Sequence, residues 1–471
     1  MYNISKIKIA GKPLSDRLFC GIGVEADCCI YDELNRNCGV NDDDYARLER
    51  RMKAMRPGIA RIFLSLNDFN PSGDECTYDW DSENMRMQIR NLRVLRDAGA
   101  MVNVCMSPWT NKEMMEPGKE KLAVDLIDYL VNRIGFDNIH WLSLFNEPDG
   151  MFAPDTDFER SMVSDGKITA LPWTEYVDKH LKVIELLKNC NLDKQVKLVV
   201  VDSVWPYQRR VERLTLAAAD FKGCDVGYSF HHYVPEDTDF FNHPESAKWK
   251  PPVLNEEIAG YRDIVGPDAE LICWETNNVG YGMSAVSPGS TRLGEDVHGT
   301  MENAVSIARK VLIMLANGVD GVCQWCVGDM FYGGNLKLGL MNFGLWRYKW
   351  ENWMPRPVYF YYSALMQTFR PGSLLYPLTG LPENIFGMAV NNKDEWKIVL
   401  LNANDATANI SLEVNKAISA LRVSSNTIPS RADCAMRENP NDDMPISNWD
   451  EKVNAENIAL SAGELIILKF D

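Results

Sequence analysis

Apolar and polar positions follow one rhythm through most of the chain and another at its two ends. Between about residues 17 and 370, short apolar runs alternate with stretches in which apolar residues recur at helical spacing. The runs are Leu18 to Val24, Ile59 to Leu66, Ala100 to Met106, Ile139 to Phe145, Val196 to Val201, Val226 to His231, Glu270 to Trp274 and Gly321 to Val327. Runs of this kind suit strands buried on both faces of a parallel sheet. The stretches between them predict helices over Asp42 to Met55, Glu83 to Ala98, Glu120 to Arg133, Trp173 to Asn189, Tyr207 to Ala219, Val253 to Ile264, Met301 to Ala316 and Tyr359 to Phe369. Several of these open on a capping residue or on acidic residues in the first turn, where the helix dipole favours them. Eight strand and helix pairs predict an α/β fold, a (β/α)8 TIM barrel.

After Arg370-Pro-Gly-Ser the texture changes to short alternating segments, such as Trp396-Lys-Ile-Val-Leu-Leu-Asn and Glu464-Leu-Ile-Ile-Leu-Lys-Phe, separated by Asn, Asp and Pro clusters. Alternation with turn signals predicts a C-terminal antiparallel β-sandwich. Ile4 to Ile9 alternates as well and is expected to join it. The expected organisation is therefore an N-terminal strand in 1–16, the barrel in 17–370 and the β-sandwich in 371–471. A chain of 471 residues has room for this, since a barrel of this type alone takes about 250.

Composition narrows the partners. The net charge is −17, from 66 acidic and 49 basic residues, which argues against nucleic acid or an anionic membrane surface and suits a neutral substrate. The opening residues lack an apolar stretch of signal-peptide length, and the chain has no 18-residue apolar run, so a cytoplasmic enzyme is expected. Of the twelve cysteines, Cys20, Cys105, Cys273 and Cys323 fall inside apolar runs, where free cysteine behaves as a small buried hydrophobe. Cys323-Gln-Trp-Cys326 has metal-ligand spacing but no second pair or histidine couple to complete a zinc site. The sole adjacent histidines, His231-His232, point to opposite sides of a strand, which leaves a metal-dependent hydrolase without its ligands. No metal or cofactor is expected.

Two glutamates carry the candidate chemistry. Trp-Leu-Ser-Leu-Phe-Asn-Glu-Pro (Trp141 to Pro148) and Leu-Ile-Cys-Trp-Glu-Thr-Asn (Leu271 to Asn277) each place a glutamate where an apolar run ends. In a barrel, carboxyl ends of strands are where catalytic groups from distant parts of the chain converge. Pro148 cannot join a strand ladder, so Glu147 is expected at the rim. Alternation groups Glu275 with Leu271 and Cys273, and Glu275 reaches the cavity if that side faces the barrel axis. Cleaving a glycosidic bond needs such a pair, one acid to protonate the leaving oxygen and one carboxylate to attack carbon or activate water.

These motifs resemble the large clan of retaining glycoside hydrolases in which the acid/base follows strand four as Asn-Glu and the nucleophile follows strand seven. Family 30 is the most similar, with families 5 and 39 close behind. Cys105-Met-Ser-Pro-Trp-Thr is similar to its Ser-Pro-Trp segment, and Phe369-Arg-Pro-Gly-Ser resembles its passage from barrel to side sandwich. The likeness spans roughly residues 17 to 375.

The resemblance implies a glycoside hydrolase acting on oligosaccharide or polysaccharide through a covalent glycosyl-enzyme, with a β-linked glucoside, xyloside or galactoside as substrate. Glu147 would be the acid/base, Glu275 the nucleophile and Asn146 a donor to the sugar 2-hydroxyl. His231 and Tyr233 would serve the nucleophile or the sugar. Arg61 opens its strand, which favours a salt bridge at the lower end of the barrel over a place beside Glu275. Trp325 and Trp109 offer flat faces for a sugar ring, and Trp205 and Trp346 are candidates for outer subsites. Glu25, Asp27 and Asp68 are either sugar ligands or solvated loop charges. The competing expectation is a non-catalytic sugar-binding protein on the same barrel.

Overall fold

The structure is a computed structural model that describes residues 5–74, 77–106, 111–148, 172–204, 207–233, 253–278, 298–332, 340–413, 418–429, 444–449 and 451–470. β1 (Ser5–Ile9) precedes a closed barrel of eight strands: β2 (Gly21–Glu25), β3 (Ile59–Leu64), β4 (Met101–Met106), β5 (Ile139–Ser143), β6 (Lys197–Ser203), β7 (Val226–His232), β8 (Glu270–Thr276) and β9 (Gly321–Gln324). Every neighbouring pair is parallel, and β9 closes on β2. All eight apolar runs became barrel strands. Four of the predicted helices have the predicted bounds, Asp42–Met55, Glu83–Ala98, Trp173–Asn189 and Met301–Ala316. Their starts are chemically marked: Asn41 closes a capping box with Asp44, Ser82 accepts from the Met85 N–H, and Thr300 accepts from the Asn303 N–H, so that otherwise orphaned amides are satisfied.

Successive strand residues point alternately to the barrel axis and to the helices. Ile22, Val24, Ala60, Ile62, Val102, Val104, Leu271 and Cys273 join the large core under the helices. Ile59, Trp141, Val199, Ile272, Trp274 and Cys323 form a separate cluster inside the barrel. Trp141 and Trp274 meet edge to face with ring centroids 5.1 Å apart. β2 approaches β3 closely at Gly23, where a Cβ would stand 1.6 Å from the Ile59 carbonyl oxygen. Only glycine fits there.

A two-stranded ribbon, β10 (Met330–Phe331) and β11 (Leu340–Met341), follows the barrel. The remaining strands are β12 (Leu374–Thr379), β13 (Ile385–Asn392), β14 (Glu395–Asn402), β15 (Ala408–Leu412), β16 (Ile418–Val423), β17 (Glu451–Val453), β18 (Ile458–Leu460) and β19 (Leu465–Phe470). They form a nine-stranded sheet in the order β17-β16-β19-β14-β13-β12-β1-β15-β18. All its pairs are antiparallel except β1 with β15.

This sheet buries both faces. Ile7, Ile398, Leu400, Ile410, Leu460, Ile466 and Leu468 pack together as its own core, while Val399, Leu401, Leu465 and Ile467 belong to the core it shares with the barrel. The crossing is tied down by backbone bonds at 2.9 Å from the Gly372 N–H to the Phe19 oxygen and from the Phe19 N–H to the Ser373 oxygen.

Candidate active site

The carboxyl ends of the barrel strands carry a layer of charge. Arg61, at the third position of β3, is fully buried, and its guanidinium pairs with three buried carboxylates: Glu25 from β2 at 3.2 Å, Asp202 from β6, and Glu275 from β8. It also donates to Asn146 Oδ1 at 2.8 Å. The expected salt bridge at the lower end is therefore not what Arg61 makes. A long side chain that starts low on the axial face of its strand reaches the upper layer, and with no exposed surface Arg61 supports Glu275 from beneath instead of contacting a sugar.

Glu275 is 3% exposed. One oxygen accepts from Arg61 and the other from the Tyr233 hydroxyl, with His231 Nδ1 3.6 Å from that second oxygen. Burial raises its pKa above the ordinary value, His231 and Arg61 pull it down, and Glu147 adds to the rise. Its direction is not the one alternation predicts. Ile272 and Trp274 face the axis, whereas Leu271 and Cys273 face the helices, so strict alternation would turn Glu275 outward. The β8–β9 register shifts between Cys273 and Thr276, and this irregularity brings Glu275 inward beside Trp274. Bulges next to functional sites commonly re-aim a side chain in this way.

Glu147 stands across from it, with its side chain 33% exposed and one oxygen 2.9 Å from His231 Nδ1. Its φ is +47°, a left-handed conformation uncommon for a non-glycine residue and disfavoured again by the proline that follows. The turn after β5 thus holds Glu147 in a strained conformation, at a cost of about 1–3 kcal/mol for such a residue.

His231 links the two sides. Nδ1 meets Glu147, and Nε2 lies 3.0 Å from Asp202 Oδ1. Burial works to discharge the ring, but Glu275 and Asp202 prevail and push its pKa up to about 10. Asp202 is likewise buried, yet Arg61 and His231 hold it down to about 2. Both ring nitrogens face carboxylates, so the ring is a doubly donating imidazolium. Ligand atoms of Glu147, His231 and Glu275 all lie within 4.8 Å of one another, the one such convergence of metal-capable groups among the described residues. A protonated imidazole has no lone pair for a cation.

Asp202 was not singled out in the sequence, although an acid directly after the run Val196 to Val201 was a signal. Val201 and Asp202 have φ of +81° and +53°, and the β6–β7 register shifts between Val200 and Ser203. The bulge turns Asp202 into the barrel where the alternation would have put Val201. Glu25 and Asp27 are buried, not solvated. Asp27 accepts from the Phe63 N–H at 2.6 Å and the Tyr332 hydroxyl at 2.7 Å, and burial raises its pKa to about 6. Asp68 accepts from the Ser65 N–H, 2.9 Å away, a capping role. Beside them opens a cleft of about 710 Å³ whose lining includes Asp27, Ser65, Asp68, Asn84 and Tyr332.

Trp325 is partly exposed, and its ring lies edge-on to Tyr233 with centroids 6.2 Å apart. Trp346 is no outer subsite: it is buried, with the Arg51 guanidinium 5.0 Å from its ring centre. Trp109 and Trp205 lie outside the described residues. Ten cysteines among the described residues are free thiols, Cys323 and Cys326 included. No helix among the described residues is long and apolar enough to cross a membrane.

No family model matches the sequence, and comparison with curated proteins gives no match. The fold, in contrast, is shared with glycoside hydrolases. Family 30 xylanase C of Talaromyces cellulolyticus superposes with a TM-score of 0.66 at 12% identity, over 99% of this chain and all of that one. A family 30 subfamily 8 xylanase of Clostridium acetobutylicum matches with a TM-score of 0.60 at 13% identity, over the whole of both chains. A monomeric β-xylosidase of Caulobacter crescentus gives 0.61 at 14% identity, over 99% of each. The chain shares the fold of these proteins, a TIM-type barrel with a β-rich second domain.

Proposed function

We propose that the protein is a retaining glycoside hydrolase that cleaves a β-glycosidic bond by double displacement. The observation that carries this reading is the approach of a Glu147 oxygen to within 4.8 Å of a Glu275 oxygen. Retaining enzymes place their carboxyl groups about 5–5.5 Å apart, inverting enzymes about 6.5–9.5 Å to admit a water.

Glu147, a third exposed at the rim, gives its proton to the leaving oxygen. Glu275 attacks the anomeric carbon, breaking the carbon–oxygen bond and forming a glycosyl ester. Glu147 then takes a proton from the water that hydrolyses the ester, which returns both groups to their starting states. Arg61 and Tyr233 hold the Glu275 oxygens in place. Arg61 also orients Asn146, whose amide donates to the sugar 2-hydroxyl, a bond that strengthens in the transition state. Trp325 supplies an apolar face for the ring. The names of the structural neighbours, xylanase and xylosidase, make β-xylosides the first substrates to try, with glucosides and galactosides next.

Glu275→Ala is the deciding variant. Release of aryl alcohol from an aryl β-glycoside should vanish, and azide should restore it with formation of a glycosyl azide. Undiminished turnover in the variant would refute the assignment, and sugar binding without turnover by the wild type would leave a binding protein.

A further inference from the structure

The charged layer holds one carboxyl group more than its cations balance. Arg61 and His231 supply two positive charges against the buried carboxyls Glu25, Asp202 and Glu275, and the carboxyls of Asp27 and Glu147 lie beside them, so the excess is at least one. Each ionised group left unbalanced in a dry interior is costly, and the usual relief is that one of them keeps its proton.

Glu25 is the one. It is wholly buried, and its only cationic partner among the described residues, Arg61 Nη1, is the same nitrogen that pairs with Glu275, at 3.2 Å on the Glu25 side. Its Oε1 is buried with no hydrogen-bond partner among the described residues. A carboxylate oxygen so placed is unsatisfied, whereas a carboxylic acid O–H could donate to a neighbouring carboxyl, and those of Glu275 and Asp27 both interact with Glu25. Asp202, in contrast, accepts from Arg61, His231 and Ser229, and Glu275 from Arg61 and Tyr233.

We propose that Glu25 is a positioning residue for the reaction, a neutral carboxylic acid at the end of β2 that shares its proton with the flanking carboxylates and thereby keeps Glu275 ionised and fixed. This rests on the glycosidase reading above and goes beyond it, since it assigns a residue outside the acid/base and nucleophile pair.

The surroundings agree. Burial is the largest influence on Glu25 and raises its pKa well above the ordinary value; the charges of Glu275 and Asp27 raise it further, and Arg61 alone opposes them. Among the described residues, the other titratable groups around it are thiols and phenols: Cys105 of β4, Cys323 of β9, Cys326 beyond β9, and Tyr332 and Tyr233. Burial pushes all of these up as well, so none adds charge at neutral pH.

Two variants separate a neutral donor from a buried anion, with the acidic limb of kcat/KM on an aryl β-glycoside as the readout, since that limb follows ionisation of Glu275. Glu25→Gln keeps an N–H donor without a proton to lose, and the limb should stay where it is in wild type. Glu25→Leu removes the donor, and the limb should move to higher pH by about one unit, the size expected for one lost hydrogen bond to a charged group. Were Glu25 an anion, both variants would remove a negative neighbour and move the limb to lower pH, which would overturn the proposal. An infrared difference spectrum at neutral pH needs no substrate and so separates this proposal from the glycosidase reading. Wild type should show the C=O stretch of a protonated carboxylic acid that Glu25→Gln lacks, and an unchanged band region would refute it.

Discussion

The lower and upper halves of the barrel interior are lined by the same strands, yet they are built on opposite principles. Below, Ile59, Trp141, Val199, Ile272 and Trp274 fill the space with hydrocarbon and two edge-to-face indoles. Above, β2, β3, β6, β7 and β8 contribute Glu25, Arg61, Asp202, His231 and Glu275, all at most 3% exposed. The lower half gains free energy by leaving water. The upper half gives up hydration of its charges and recovers it only through mutual pairing, which for buried ions is seldom a net gain. On the reading proposed above, the upper layer serves to hold Glu275 ionised, and the lower half carries the stability.

Removing one member from each half breaks the comparison most sharply. Arg61→Met leaves buried carboxylates without their shared cation and should cost about 3–5 kcal/mol together with turnover. Ile272→Ala should cost a comparable 2–5 kcal/mol or so through its cavity while the folded fraction turns over near the wild-type rate. Urea denaturation beside initial rates tests both, and an Arg61 variant that is as stable and active as wild type would show that the layer is not interdependent.

A smaller effect is expected at the rim. Glu147→Ala should lower the rate by roughly 10²–10⁴-fold, the usual contribution of a general acid, and cost about 1–3 kcal/mol of stability because the buried His231 Nδ1–H loses its acceptor. The loss should shrink for aryl glycosides with acidic leaving groups, and kinetics across a leaving-group series would show it.

The smallest is a slope. His231 titrates near 10 folded against 6.5 ordinarily, so its ion pairs stabilise fully below about pH 6.5 and the contribution is lost as pH rises through 10. Asp202, held near 2 against 3.8, contributes above about pH 3.8 and fails as pH falls through 2. His231→Asn should therefore flatten the decline of stability between neutral pH and about pH 10. Equal slopes in urea midpoints for the two proteins would contradict the pairing.

Much of this could be read from residue order. Apolar runs of strand length separated by helix-period stretches are local consequences of burial, and a parallel sheet demands both. Glu147 was legible because a proline follows it, and Glu275 because polar residues follow its run. Arg61 was misread because strand position says where a Cα sits, not how far a long side chain reaches. Glu275 itself was selected on a run's end, but the face it occupies came from a register shift that no periodicity announces.

What the sequence determined by itself is therefore the set of elements, their order and the two acids worth watching. The tertiary structure alone decided which charges meet. Bulges in β6 and β8 rotate Asp202 and Glu275 inward, and closure of the barrel sets Glu25, Asp202 and Glu275 from β2, β6 and β8 around the guanidinium of Arg61 from β3. Their energies depend on distances across the ring and on the exclusion of water, and neither exists until the strands have closed.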